Sequence, residues 1–386
     1  MGKVDNFTKE VRGRNMRVLM ILDNLSRDSG VSSIVMNLYK NITPSKIKID
    51  FLAFKEGNNS YRDMVVERGS KVYILPNPLS VKNLLKAVRV LKEFFKEHHE
   101  EYDIVHLHSP SLNEFTLRYA KKYSIPNRVI HSHSTMTSPI KLKKYLNMFL
   151  QRNATKYANY YFSCSSEAAR FLYGIEFCKK KEIVLIKNAV DTDKFKYSEQ
   201  QAKCFNREFN LEDKRVAIHV SNFSRIKNVS FLIEVIREIS LKCPDYRFLF
   251  VGDGPTKNNL EEIVKGYGLS KYCFFTGRRN DVANLLNCAD VLLLPSLKEG
   301  LPVTVIEAQA NGMKCIVSDT VTREANVGNV MYLPLKTNMW VDSLEKIKPI
   351  SSKERIHECE IFSTSEFNII NEAKRIESVY LSMEGQ

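Results

Sequence analysis

The chain has no run of about 18 consecutive apolar residues, so nothing in it reads as membrane-spanning. No apolar h-region follows its start, which argues against a signal peptide. It contains no internal repeat and no low-complexity segment. None of its eight cysteines forms a C-x-x-C pair, and most stand among apolar neighbours. The expectation is buried, reduced thiols in a cytosolic protein, with neither a disulfide framework nor a metal knot. The N-terminal half is also short of acid. Residues 1–190 hold 32 Lys and Arg against 17 Asp and Glu, whereas residues 191–386 hold 26 against 27. The formal charge of +14 is therefore carried by one half, whose partner is expected to be anionic.

The 386 residues are 44% hydrophobic and 26% charged, a soluble globular balance with room for two domains. Residues 1–15 are polar and read as an N-terminal extension. From Met16 onward, apolar strand-like runs alternate with helical spacing. Strands are predicted at Met16–Leu22, Ile49–Phe54, Val72–Leu75, Ile104–Leu107, Arg128–His131 and Tyr160–Ser163, with helices at Gly30–Ile42, Val81–Lys96 and Lys141–Tyr157. A second series follows at Val216–Val220, Arg247–Val251, Cys273–Thr276, Val291–Leu294 and Cys315–Ser318. This order implies an α/β chain with two doubly wound parallel sheets. Asp191–Asn210 is polar without a period, and the junction is placed there. The expected division is 16–195, 196–365, and a helix over 366–386 crossing back to the first domain. Ligands of such sheets bind in the cleft at the carboxyl ends of the strands.

The strongest local signal is Pro295-Ser296-Leu297-Lys298-Glu299-Gly300-Leu301-Pro302, leading into a helix over Val303–Asn311. Proline suits a first helical turn, and glycine permits close approach of a ligand. Free amides at that helix start suit a diphosphate, and a carboxylate such as Glu299 or Glu307 can accept two hydroxyls of a sugar or ribose. The same stretch could also be an ordinary strand–loop–helix with solvated glutamates.

P-S-L-x-E-G-L-P-x-x-x-x-E-A resembles the Glu-x7-Glu motif of the family-4 retaining glycosyltransferases, whose two Rossmann-like domains face each other across a cleft in the GT-B fold. Matching pieces span nearly the whole chain from Met16. They include Gly30 with Val35-Met36-Asn37-Leu38-Tyr39, then Asp103 to His108, then His131-Ser132-His133-Ser134. Asn188-Ala189-Val190-Asp191, Val251-Gly252-Asp253-Gly254-Pro255 and Phe275-Thr276-Gly277-Arg278 follow in order. The most similar subgroup is the bacterial capsule and exopolysaccharide transferases.

The resemblance implies roles. Glu307 would hold the ribose hydroxyls and Glu299 the donor sugar, with Gly300 and Leu301 offering amides to the phosphates. Lys227 would neutralise the diphosphate as the sugar–phosphate bond breaks. Many members carry an arginine five residues before this lysine. Here Asn222 stands there and Arg225 lies two residues before Lys227, so either Lys227 alone or Lys227 with Arg225 supplies the charge. Gly30 would touch a phosphate, although Ser29-Gly30-Val31-Ser32 replaces the usual Gly-Gly-x-Glu. Gly277 and Arg278 would border the base, and Gly252–Pro255 would line the cleft. His133 would approach the transferred sugar and the acceptor, with His131 as second choice. His106 reads as a core histidine, and His108 is open between core and cleft. H-x-H can suggest a metal, but Cys and carboxylate companions at ligand spacing are absent, so no metal and no cofactor is expected.

Val81–Lys96 places Leu84, Leu85, Val88, Leu91 and Phe95 on one face, with Lys82, Lys86, Arg89, Lys92 and Lys96 opposite. Lys141, Lys143, Lys144, Arg152 and Lys156 extend the basic pattern. Basic amphipathic helices suit an anionic membrane surface, while any helix on a sheet must also be amphipathic. Nucleic acid is not expected, because aromatic and basic residues do not interleave. The expectation is a retaining, metal-independent transferase, cytoplasmic and peripheral on the inner face of the plasma membrane. It would take a sugar from a UDP- or GDP-linked donor to a lipid-linked saccharide acceptor in surface polysaccharide assembly. A soluble transferase making a small glycoside, and a catalytically silent partner subunit of the same fold, are the rivals.

Overall fold

The computed structural model describes residues 15–57, 59–77, 81–109, 112–133 and 151–383. The first sheet contains β1 (Met16–Leu22), β2 (Ile47–Ala53), β3 (Val72–Ile74), β4 (Ile104–Leu107), β5 (Asn127–Ser132), β6 (Tyr160–Ser163) and β7 (Val184–Leu185). The second contains β8 (Arg215–Val220), β9 (Tyr246–Val251), β10 (Cys273–Gly277), β11 (Val291–Leu294), β12 (Lys314–Ser318) and β13 (Val330–Leu333). All pairings between these strands are parallel. The strand orders are β3-β2-β1-β4-β5-β6-β7 and β10-β9-β8-β11-β12-β13. Central strands such as β4 and β11 are buried throughout, as expected of strands covered by helices on both faces. The two doubly wound sheets of the sequence reading are therefore present.

In each sheet the chain order reverses once beside its first strand, between β1 and β4 and again between β8 and β11. Crevices for ligands open at such reversals, beyond the carboxyl ends of the strands. Gly30 follows β1, His108 follows β4, Lys227 follows β8 and Glu299 follows β11.

The chain passes between the sheets twice, and the two passages lie side by side. Val190 N–H donates to Phe367 O at 2.9 Å and Ile369 N–H donates to Val190 O at 3.0 Å, making a parallel bridge between Val190 and Asn368. Helix Ile369–Ser382 then lays Ile369, Ala373, Ile376 and Tyr380 into the core of the first sheet. Asn368 caps it by accepting from Ile370 N–H.

Several local readings differ from the sequence expectation. Asp191–Asn210 is not irregular but holds helices Thr192–Phe195 and Glu199–Glu208, capped by the side chains of Asp191 and Ser198. The longer one buries only Ala202 and Phe205, too few apolar positions to display a period. The edge strands β7 and β13 escaped notice because neither is a buried run. Helix Val81–His98 buries Ala87, Leu91, Phe94 and Phe95, whereas Leu85 is 73% exposed. Leu85 lies off the stripe that runs through 84, 87, 88, 91, 94 and 95 at helical spacing. Lys86 and Arg89 are exposed and Lys92 is half-buried. The side chain of Lys82 and all of Lys141, Lys143, Lys144 and Ser134 lie outside the described residues. Five cysteines are buried, Cys178 and Cys243 are half-buried and Cys204 is exposed. No helix among the described residues is long and apolar enough to cross a membrane.

Candidate active site

Two loops of the second sheet build the centre of the site. Leu297 N–H donates to Ile226 O at 2.8 Å, and Asn228 Nδ2 donates to Pro295 O at 3.3 Å. Asn228 accepts a left-handed backbone, φ 52°, which asparagine tolerates better than most residues. The loop after β8 is thereby tied to the loop after β11. This brings Lys227 Nζ to 2.6 Å from Glu299 Oε1, with both side chains largely buried. A charge-assisted bond this short holds both ends in place until a stronger partner arrives.

Helix Val303–Ala310 begins directly after Pro302, which occupies the capping position rather than the first turn. The amides of Gly300 and Leu301 donate no hydrogen bond among the described residues. Their carbonyls face the first domain instead: Ser165 Oγ donates to Gly300 O at 3.3 Å and Asn188 Nδ2 donates to Leu301 O at 3.2 Å. Fixing the carbonyls sets the orientation of the loop while leaving the amides for an anion. Glu307, on the second turn of the helix, is half-buried. Burial pushes its carboxyl up to about 7, with the charge of Lys194 acting in the opposite sense.

Arg225 is exposed and its side chain makes no ion pair among the described residues, so Lys227 is the cation held inside the site. Asn222 is exposed and accepts from Ser224 Oγ at 3.2 Å. Gly252 and Gly254 are required by packing. A Cβ at Gly252 would stand 1.8 Å from Ser221 O, and one at Gly254 would stand 2.7 Å from Phe223 N. Gly30 differs, because a Cβ there would meet nothing within 4 Å. It opens helix Gly30–Asn41, capped by the Ser29 side chain, with free space above the helix start. Gly277 ends β10 with φ 72°, and Arg278 beyond it reaches Asp28 Oδ2 of the facing domain at 3.2 Å and Asp253 Oδ2 at 3.8 Å. Asp28 carries no motif, and nothing local in the sequence marks it as the partner of Arg278.

The two H-x-H pairs meet on adjacent strands. His106 and His108 stack at 4.0 Å between ring centres, as do His131 and His133. His106 Nε2 lies 3.1 Å from His131 Nδ1, and His108 Nδ1 lies 2.8 Å from His133 Nε2. His106 Nδ1 bonds Tyr380 Oη from the returning C-terminal helix, a partner no local pattern announces. Burial holds His106, His108 and His131 well below the ordinary imidazole value and brings His133 down to about 4, so all four are neutral near pH 7. One ring nitrogen from each of His106, His108 and His131 lies within 4.8 Å of the others, and these are the described residues that could hold a metal.

Comparison with known proteins finds relatives along most of the chain. Residues 29–194 match the family model described as Glycosyltransferase Family 4, and residues 201–329 match Glycosyl transferases group 1. The putative glycosyltransferase EpsF of Bacillus subtilis (strain 168) is 29% identical over 341 residues, covering 86% of this chain and 87% of that protein. The UDP-Gal:alpha-D-GlcNAc-diphosphoundecaprenol alpha-1,3-galactosyltransferase of Escherichia coli is 28% identical over 330 residues, covering 78% and 80%. Among solved structures, Anabaena Alr3699/HepE in complex with UDP superposes with a TM-score of 0.76 at 16% identity, covering 95% of this chain and 100% of that one. With two family models placed one on each sheet, and the GT-B architecture around the Lys227–Glu299 pair, the chain belongs to the family-4 glycosyltransferases.

Proposed function

We propose that the protein is a retaining, metal-independent hexosyltransferase. It would pass a sugar from a UDP- or GDP-linked donor to a lipid-linked saccharide in capsule or exopolysaccharide assembly, at the inner face of the plasma membrane. The observation that carries this reading is the Lys227–Glu299 pair, 2.6 Å apart at the chain reversal of the second sheet. The donor diphosphate lies on the amides of Gly300 and Leu301 and draws Lys227 away from Glu299. As the bond from the sugar to phosphate breaks, negative charge grows on the departing oxygen, and the lysine neutralises it in a partly dry site. Glu299, released from the lysine, accepts a hydroxyl of the sugar. Glu307, once ionised, accepts the ribose hydroxyls. Gly30 supplies an amide from the opposite helix start, Gly277 and Arg278 border the base, and His133 stands by the transferred sugar.

The E. coli relative is named for transfer to a diphosphoundecaprenol-linked sugar, which supports a lipid-linked acceptor. The Anabaena structures hold UDP, and one holds UDP with glucose, which supports a uridine donor. The basic N-terminal half, with Leu85, Lys86 and Arg89 exposed on one helix, supports membrane contact. The test is transfer from UDP- and GDP-hexoses to a polyprenyl-diphosphate-linked N-acetylhexosamine, with the anomeric configuration of the product read by NMR. Product with the anomeric configuration of the donor is expected. An inverted product, or transfer to small water-soluble acceptors alone, would overturn the reading.

A further inference from the structure

The histidine cluster holds more imidazole nitrogen than its hydrogen bonds employ. His108 Nε2, His131 Nε2 and His133 Nδ1 are buried and have no hydrogen-bond partner among the described residues. Unpartnered polar atoms in a core are costly and call for an explanation. His106, His108 and His131 are 0%, 3% and 5% exposed, so bulk water does not satisfy them.

The placement has a geometric logic. Residues i and i+2 of a strand point to the same face, so the rings of His106 and His108 stack, and parallel pairing sets β5 alongside with His131. His106 Nε2 and His131 Nδ1 are 3.1 Å apart. That separation suits the edge of a tetrahedron whose centre lies about 2.0 Å from each nitrogen. Tyr380 Oη can accept from His106 Nδ1–H, leaving the Nε2 lone pair free. His108 Nδ1–H can donate to His133 Nε2, leaving its own Nε2 lone pair free, and of the three unpartnered nitrogens this is the one that would meet the ion. Outer hydrogen bonds of this kind fix the tautomer of metal-binding imidazoles.

We infer that His106, His108 and His131 form a binding site for one divalent transition-metal ion of the zinc class. Three imidazoles with no thiolate or carboxylate favour zinc, cobalt or copper over magnesium and calcium. The ligands belong to the first sheet, whereas Lys227, Glu299 and Glu307 belong to the second. This inference does not rest on the proposed activity, since it is read without turnover.

The test is titration of the metal-stripped full-length protein with cobalt(II), followed by the visible absorption of four-coordinate cobalt. One equivalent is expected to bind and to be displaced by zinc. Affinity should fall at least a hundredfold in His108→Gln and in His131→Gln. X-ray absorption of the zinc-loaded wild type guards against variants that fail to fold, and should show three imidazole rings around the metal. Binding retained in the His108→Gln/His131→Gln double variant, sulfur scatterers from the cysteines, or no stoichiometric cobalt binding to wild type would each overturn the assignment.

Discussion

Glu307→Gln should make the ligand-free protein more stable at neutral and alkaline pH while weakening its hold on the donor. In the unfolded chain this carboxyl titrates near the ordinary glutamate value of 4.5, and in the folded protein burial lifts it to about 7. Between those values the unfolded chain has released the proton and the folded protein still holds it. Stability is therefore fully present below 4.5 and falls as pH rises through 7, by about 1.4 kcal/mol per pH unit. The accumulated loss is of order 3 kcal/mol above neutrality, and glutamine, which carries no charge, removes it. At roughly 2–4 °C per kcal/mol for a domain of this size, melting should rise by several degrees at pH 8. At pH 4.5 the variant and the wild type should melt together. Thermal scans across this range measure the effect directly. Titration calorimetry with a nucleotide-sugar supplies the functional half. Wild-type affinity should strengthen up to about pH 7 as the carboxylate ionises, and the variant should bind weakly with little pH dependence. Equal melting at pH 8, or an advantage for glutamine that persists unchanged at pH 4.5, would refute the reasoning.

Lys227→Ala should lower kcat/KM by roughly 10²–10⁴-fold, the loss of two charge-assisted contacts of about 1.5–3 kcal/mol each, with the fold retained by circular dichroism. Activity within fivefold of wild type would remove Lys227 from the donor site. Transfer should persist in excess EDTA, because the diphosphate charge is met by a side chain; turnover lost in EDTA and restored by magnesium or manganese would place the enzyme in another class. The protein should co-sediment with anionic vesicles at low salt and be released as screening grows over a Debye length of roughly 8 Å at physiological salt. Lys82→Glu, Lys86→Glu and Arg89→Glu together should abolish that binding and spare transfer to a water-soluble acceptor; equal binding to neutral vesicles would end the membrane reading.

The sheets were readable because parallel strands buried on both faces print long apolar runs, as in Met16–Leu22 and Val291–Leu294. The loop from Pro295 to Pro302 stood out because proline, glycine and glutamate are packed into eight residues after such a run. Distance in sequence concealed the rest. Lys227 and Glu299 are 72 residues apart, and their contact depends on a backbone bond between two loops. Asp28 meets Arg278 from the facing domain, and Tyr380 meets His106 across 274 positions, once the C-terminal helix has packed on the first sheet. The histidine pairs were visible as H-x-H twice over. Their merger into one cluster follows from the alignment of β4 with β5, which the spacing alone does not specify.

The paired passages at Val190 and Asn368 bear on how the two halves can move. A single covalent connection would act as a swivel, free in three rotations. Two segments bonded side by side act as a hinge pin, because independent swing of either strains the hydrogen bonds to the other. Any swing of one domain against the other would have to turn about this crossing and would separate Arg278 from Asp28.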